Sequence, residues 1–153
     1  TLAPALANRV KPAAGLEAVE RHGDVPRIID CADTAEVLAR TLEAAQAFRA
    51  SGRKTLGILH ASDELAARYA ELLSRDVDVH LLTERTETFE EGVSVASVKM
   101  AKGLEFDEVV VLDADERFFS GELGRSLLYV AVTRALHRLT VLHRGRPSRF
   151  LAE

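Results

Sequence analysis

Two short stretches combine residue types that handle anions. The first, Lys102-Gly103-Leu104-Glu105-Phe106, stands just before the apolar run Val109 to Leu112. A buried strand has no need of a charged, glycine-broken turn at its entrance, and the loops at strand ends are where parallel-sheet proteins meet their ligands. In the second, SLLYVAVTRALHRL from Ser126 to Leu139, the residues Leu128, Ala131, Val132 and Ala135 form a buried stripe at helical spacing, which sets Arg134 on the flank of the helix. A guanidinium is permanently charged, and on a short rigid helix it can be aimed at an anion across an interface. On a helix standing alone, the plainer reading is a snorkelling surface arginine.

Other constellations are missing or weak. There is no GxxxxGK[ST] phosphate loop, and Gly52-Arg53-Lys54-Thr55 lacks the leading glycine and runs into a strand. No GxGxxG occurs, and the five His and one Cys have no metal-ligand spacing. His137 and His143 flank one strand and are expected to face solvent. Val109 to Glu116 imitates a Walker B strand, but without a phosphate loop its acids have no nucleotide-bound magnesium to hold. Asp113, Asp115 and Glu116 are therefore expected to be an ordinary polar strand end. By itself the chain does not read as a complete enzyme.

The elements that would position the two stretches alternate along the chain. Short apolar strands are expected at 26–31, 55–60, 77–82, 93–98, 109–112 and 138–143. Between them, Asp33-Thr34 can cap a helix that Ser51-Gly52 stops, Ser62-Asp63 can cap a second, and a third runs from about Leu123 to Leu136. The first 24 residues read as a helical lead-in and loop, and 25–153 as one domain. Several strands are continuous apolar runs, so the pattern describes an α/β fold, a mostly parallel sheet covered by helices on both faces. Ligands of such sheets bind beyond the carboxyl ends of the strands, which points to loops 99–105, 113–122 and 144–149.

At 153 residues, with 47% hydrophobic and 29% charged residues, the composition is that of a globular domain. No apolar run approaches a membrane span, Thr1-Leu2-Ala3-Pro4 has no signal-peptide pattern, and a start without Met is expected of a fragment. A single Cys31 excludes an internal disulfide and fits a reducing cytoplasm. The net charge of −4 argues against a uniformly basic nucleic-acid binder, yet charge is segregated: six Arg face one acid from Leu123 to Glu153, after thirteen acids and four bases from Asp76 to Glu122. That asymmetry reads either as solvated helix faces or as a basic edge that meets phosphate.

Taken together, 95–107 and 126–139 resemble motifs V and VI of superfamily 1 helicases of the UvrD/Rep type, in their second RecA-like domain. Lys102-Gly103-Leu104-Glu105-Phe106 matches the end of motif V. Leu128, Tyr129, Val130, Ala131, Thr133, Arg134 and Ala135 match the motif VI helix. The resemblance implies a three-layer RecA-like domain that closes over ATP and Mg2+, both held mainly by an N-terminal RecA-like domain absent from this chain. It implies that Arg134 is an arginine finger, that Glu105 accepts a hydrogen bond from the ribose, and that Gly103 and Thr133 also face nucleotide. Ser97, Lys99 and Lys102 would touch single-stranded DNA, although the family usually has Thr and His where Ser97 and Lys99 stand. The chain alone would not turn over ATP.

The family's Asn-Tyr-Arg-Ser motif is absent, and only the short loop Thr83 to Gly92 stands where Rep-like members insert a helical subdomain. That compactness is similar to the HelD-type branch, whose ATPases associate with bacterial RNA polymerase. Helicase or translocase on DNA and remodeller of polymerase are both carried forward. Phe106 and Tyr129 are left open as core residues or base-stacking platforms.

Overall fold

The computed structural model describes residues 25–151, so the lead-in expected over 1–24 lies outside the described residues. From Arg27 on, strand and helix alternate as β1 (Arg27–Cys31), α1 (Thr34–Ser51), β2 (Thr55–His60), α2 (Asp63–Leu73), β3 (Val79–Leu81) and β4 (Gly92–Ser97). The order continues with the one-turn α3 (Val98–Ala101), β5 (Phe106–Val111), α4 (Gly121–Thr133), β6 (Ala135–Arg144) and a 3-10 turn at Arg149–Leu151.

Local chemistry sets these boundaries. Asp33 accepts from the amide of Glu36 while Glu36 reaches back to the amide of Ala32, a reciprocal cap for α1. Gly52, at φ 77°, ends the same helix. Ser62 caps α2 by accepting from the amide of Leu65.

The described strands form one sheet in the order β1-β6-β5-β2-β4-β3, with every ladder parallel. Successive strand residues point to opposite faces, so each face builds its own core. Val110, Leu112, Ile58 and Val95 pack under α1 and α2. Val109, Val111, Leu59 and Val141 pack under α3 and α4. The result is the expected three-layer α/β domain. One close approach demands a glycine: a Cβ on Gly57 would stand 2.7 Å from the Phe106 ring, which lies flat on β2. Phe106 is therefore fully buried core and not a stacking platform.

Several boundaries differ from the sequence-based expectation. The third strand shrinks to Val79–Leu81, a short edge strand. Residues expected to finish β4 open α3 instead, because Ser97 turns its hydroxyl onto the amide of Met100 and caps a helical turn. Helix α4 stops at Thr133 and β6 begins at Ala135. Ala135 is thus buried in the sheet rather than in a helical stripe, and Arg134 is the helix C-cap rather than a flank residue. The helical period ran on through Ala135 because an apolar residue serves a helix stripe and a sheet core equally well. His137 and His143 lie inside β6, and His143 is buried.

Candidate functional site

Strand polarity divides the expected site residues between the two edges of the sheet. Chain leaving β4 at Ser97 is at the carboxyl edge, and it descends across the sheet face through α3 and 102–105 to enter β5 at the amino edge. There β5 and β6 start side by side, with Phe106 opposite Ala135. Gly103, Glu105, Thr133 and Arg134 are consequently gathered at the amino edge, Ser97 and Lys99 stand at the carboxyl edge, and Lys102 caps α3 between them. The expectation that all site loops lie beyond the carboxyl ends is corrected for loop 99–105. Its connection must cross back, because every ladder in the sheet is parallel.

At the amino edge the amide of Phe106 donates to the carbonyl of Arg134 at 2.9 Å. In return the Arg134 guanidinium donates from Nη1 to the Leu104 carbonyl, from Nε to the Val130 carbonyl (both 3.2 Å), and from Nη2 to Thr133 Oγ1 at 3.4 Å. These bonds tie the end of α4 to the 102–105 turn. Thr133 itself is buried, and its hydroxyl donates to the Tyr129 and Val130 carbonyls. Gly103 is exposed at φ 90°, and nothing lies within 4 Å of where a Cβ would stand. A backbone turn of this kind needs glycine and leaves open space beside it. Glu105 is exposed on the same turn.

Just inside this edge Glu108 is 2% exposed, with Arg53 at 3.2 Å and Arg138 at 3.7 Å. Asp107 accepts from the amides of Lys54 and Thr55. Burial raises its pKa, but those amides and His137 outweigh that and hold it below the usual carboxylate range.

At the carboxyl edge Ser97 is 2% exposed and occupied as a cap, so its hydroxyl is not presented to solvent. Lys99 is exposed, with its Nζ 4.0 Å from Asp63 at the start of α2.

The same edge holds a network that motif reading missed. Asp113, 1% exposed at φ 47°, accepts from the Tyr69 hydroxyl at 3.0 and 3.1 Å. His60 Nε2 lies 2.9 Å from Asp113 Oδ2, while His60 Nδ1 accepts from the amide of Ser62. That second bond leaves Nε2 to carry the ring hydrogen and donate to Asp113. Arg144 Nε stands 3.4 Å from Asp113 Oδ1, and Nη1 donates to Thr34 Oγ1. Asp115, also 1% exposed, accepts from the Arg144 amide at 2.6 Å and from Arg117. The expectation of an ordinary polar strand end is therefore wrong for Asp113 and Asp115, and holds only for the more exposed Glu116, which pairs with Arg149.

Burial raises the pKa of Asp113, but bonds from His60 and Tyr69 and the charge of Arg144 outweigh it and hold the carboxyl below its ordinary value. Burial beside that carboxylate pushes the Tyr69 phenol well above its ordinary value, and the bond to Asp115 raises Arg117. Motifs could not show this network because its members are far apart in sequence, 53 residues for His60 and 44 for Tyr69. One signal was present: His60 and Asp113 each follow an unbroken apolar run, the place where a parallel strand ends.

Of the six arginines read as a basic edge, Arg125, Arg138, Arg144 and Arg149 each have an acidic partner, so much of that charge is locally paired. Among the described residues no helix is long and apolar enough to cross a membrane, and no group of His, Cys, Asp and Glu could hold a metal ion.

With this geometry in place, residues 92–142 match the UvrD-like helicase C-terminal domain family. DNA helicase II of Escherichia coli (strain K12) is 30% identical over 90 aligned residues, which cover 45% of this chain and 12% of that protein. DNA helicase II of Salmonella typhimurium (strain LT2) gives the same figures. This chain thus spans about an eighth of the length of these relatives, at 12%. The C-terminal domain of a possible DNA helicase from Lactobacillus plantarum WCFS1 superposes with a TM-score of 0.80 at 26% identity, covering 96% of this chain and 86% of that one.

Proposed function

We infer, from a chain that carries a UvrD-like helicase C-terminal domain, that it serves as the second motor domain of an ATP-driven superfamily 1 DNA helicase. The observation that carries this reading is the pinning of Arg134 to the 102–105 turn, which puts a cation, an exposed carboxylate and an open glycine turn on one edge. ATP and its Mg2+ would be held mainly by an N-terminal RecA-like domain, and cleavage of the γ-phosphoryl bond supplies the energy.

The residues here fit an auxiliary role toward that nucleotide. Glu105 accepts from a ribose hydroxyl, and Gly103 leaves room for it. Arg134 moves from the neutral carbonyls of Leu104 and Val130 to anionic phosphate oxygens, where acceptor as well as donor is charged and the bonds are stronger. Thr133, bonded inward, keeps the helix end in place for that movement. Lys99 and Lys102 supply the charge for single-stranded DNA, and Ser97 contributes by capping α3 rather than by direct contact. Release of Arg134 from the Leu104 carbonyl frees the turn whose other end, through α3, reaches the carboxyl edge. This gives a physical route from nucleotide to nucleic acid. The setting proposed is cytoplasmic.

A second reading is favoured by one observation: β3 and β4 are joined by a short loop, with no helical insertion between Leu81 and Gly92. A compact motor of that kind suits a HelD-type ATPase that remodels RNA polymerase.

Both readings are tested in the full-length parent by measuring ATP hydrolysis with and without single-stranded DNA, beside Arg134→Ala. A loss of roughly a thousandfold is expected for an arginine finger. Hydrolysis that survives the substitution overturns the assignment. Collapse together with stimulation by DNA supports the helicase reading, and collapse without stimulation directs the test to polymerase.

A further inference from the structure

The carboxyl edge contains a feature that the amino-edge reading does not use. Strands β1 and β2 leave the sheet through α1 and α2 on one face, whereas β5 leaves through α4 on the other. Where neighbouring strands send their chains to opposite faces, a crevice opens at their carboxyl ends, and open α/β sheets take their ligands there. His60 and Asp113, at the ends of β2 and β5, form the floor of this crevice.

Arginines from separate elements line the space beside it. A cavity of about 400 Å³ has Tyr69 and Asp113 in its wall together with Arg68 of α2, Arg117 and Arg144. A second, of about 490 Å³, is lined by Arg117, Arg144 and Arg146 together with Asp115 and Glu116. The two lie side by side along Arg117 and Arg144 and together make a groove. Each space is large enough for a phosphate-bearing ligand and open enough to admit one.

The carboxylates beneath do not cancel this rim, because their acceptor positions are filled from within. Asp113 is taken by His60 and Tyr69, Asp115 by the Arg144 amide and Arg117, and Glu116 by the Arg149 amide and guanidinium. A guanidinium carries five N–H donors in a planar fork. Arg117 donates from Nη2 to Asp115 with its Cζ 4.8 Å from the Phe118 ring centre, which fixes its orientation. Arg144 donates from Nη1 to Thr34 and its Nε is buried 3.4 Å from Asp113 Oδ1, while Nη2 makes no hydrogen bond among the described residues. Arg68 is paired with Glu71 at the surface. The exposed Arg146 takes the Glu116 amide on its carbonyl, and its charge helps lower the Glu116 pKa, but its guanidinium makes no hydrogen bond or salt bridge among the described residues. Preset forks with unused donors match the tetrahedral oxygens of phosphate better than a single lysine charge would.

We propose that this groove is a phosphate-binding site, for the phosphate group of a nucleotide or of a nucleic-acid strand, separate from the Arg134 edge. The site stands on its own geometry and does not depend on Arg134 being a finger.

The test uses the 153-residue chain and three probes: inorganic pyrophosphate, ADP and an oligothymidylate, each titrated by calorimetry. The variant is Arg68→Ala with Arg146→Ala, both exposed, so folding is preserved and is checked by circular dichroism. If a strand is the ligand, the double variant binds oligothymidylate severalfold more weakly. The slope of log K against log salt falls by about 1.4, at ~0.7 per phosphate contact on a single strand. If pyrophosphate and ADP bind with the same dependence on the two arginines and the oligonucleotide does not, the source is a free nucleotide and the phosphate site stands. If no probe loses affinity in the double variant, or only Lys99→Ala with Lys102→Ala weakens binding, the proposal is overturned.

Discussion

At the carboxyl edge Asp113 is buried and surrounded by a histidine, a phenol and a guanidinium, whereas at the amino edge Arg134 rests on the neutral carbonyls of Leu104 and Val130. Both are charged groups at the end of a β-strand, but they are held in different ways. A carboxylate withdrawn from water loses several kcal/mol of hydration, about that much per ion even after relaxation, and persists only with a full set of partners. Such a group locks β2, β5, β6 and α2 together. The Arg134 guanidinium is only partly buried and keeps part of its hydration, so holding it there costs less. The first arrangement locks strands and helix together, and the second leaves a charged group half in water beside an open glycine turn.

The largest effect that would break this contrast lies at Asp113. Replacing it with Ala leaves the His60 N–H, the Tyr69 hydroxyl and Arg144 without their acceptor. A loss of about 3 kcal/mol or more in unfolding free energy is expected, as for other buried pairs stripped of one partner, and urea denaturation measures it. A change near zero would show that the network is decorative.

Acidification is the next probe. The pKa of Asp113 is depressed in the folded chain, and so is that of Asp107. The unfolded chain therefore takes up protons first, near the ordinary carboxylate value of about 4. Stability is complete above that pH and falls as pH drops through the unfolded value toward the lower folded ones. Denaturation curves between neutrality and acid should show this fall, and Asp113→Asn should flatten it. An unchanged slope in the variant would place the acid sensitivity elsewhere.

The smallest effect sharpens the comparison. In the isolated chain Arg134→Ala should reduce stability by about 1.5 kcal/mol, the low end for hydrogen bonds made by a charged group, because the guanidinium is only partly buried. Hydrogen exchange at the amides of 102–105 should nonetheless rise clearly. A loss as large as that at Asp113 would make Arg134 a structural residue and count against its movement toward phosphate.

Much of the fold was legible because its signals are local. Asp33, Gly52 and Ser62 act on backbone groups within a few residues of themselves, so the ends of α1 and the start of α2 were readable. The continuous apolar runs at β2 and β5 announced strands buried on both faces. The error at Arg134 and Ala135 came from the same locality: the helical stripe continued in sequence, while the ladder with β5 claimed Ala135 for the sheet. The amino-edge site was legible only as two patterned segments. That they meet, through the Leu104 carbonyl and the Phe106 amide, is a contact across about thirty residues, 30 for the guanidinium bond. The burial of Ser97 and Thr133 was not readable at all, since a hydroxyl bonded inward has the same letter as one facing water.

The sequence by itself determined the alternation of strand and helix, the α/β class and the two segments that fall within the stretch matching the UvrD-like helicase C-terminal domain family. These depend on periodicity, caps and spacing, which act along the chain. Tertiary structure alone decided which edge each loop occupies, that Asp113 and Asp115 are buried rather than solvated, and which arginines keep donors to spare. Those outcomes depend on which strands lie side by side, and parallel pairing joins residues whose separation along the chain carries no local signal.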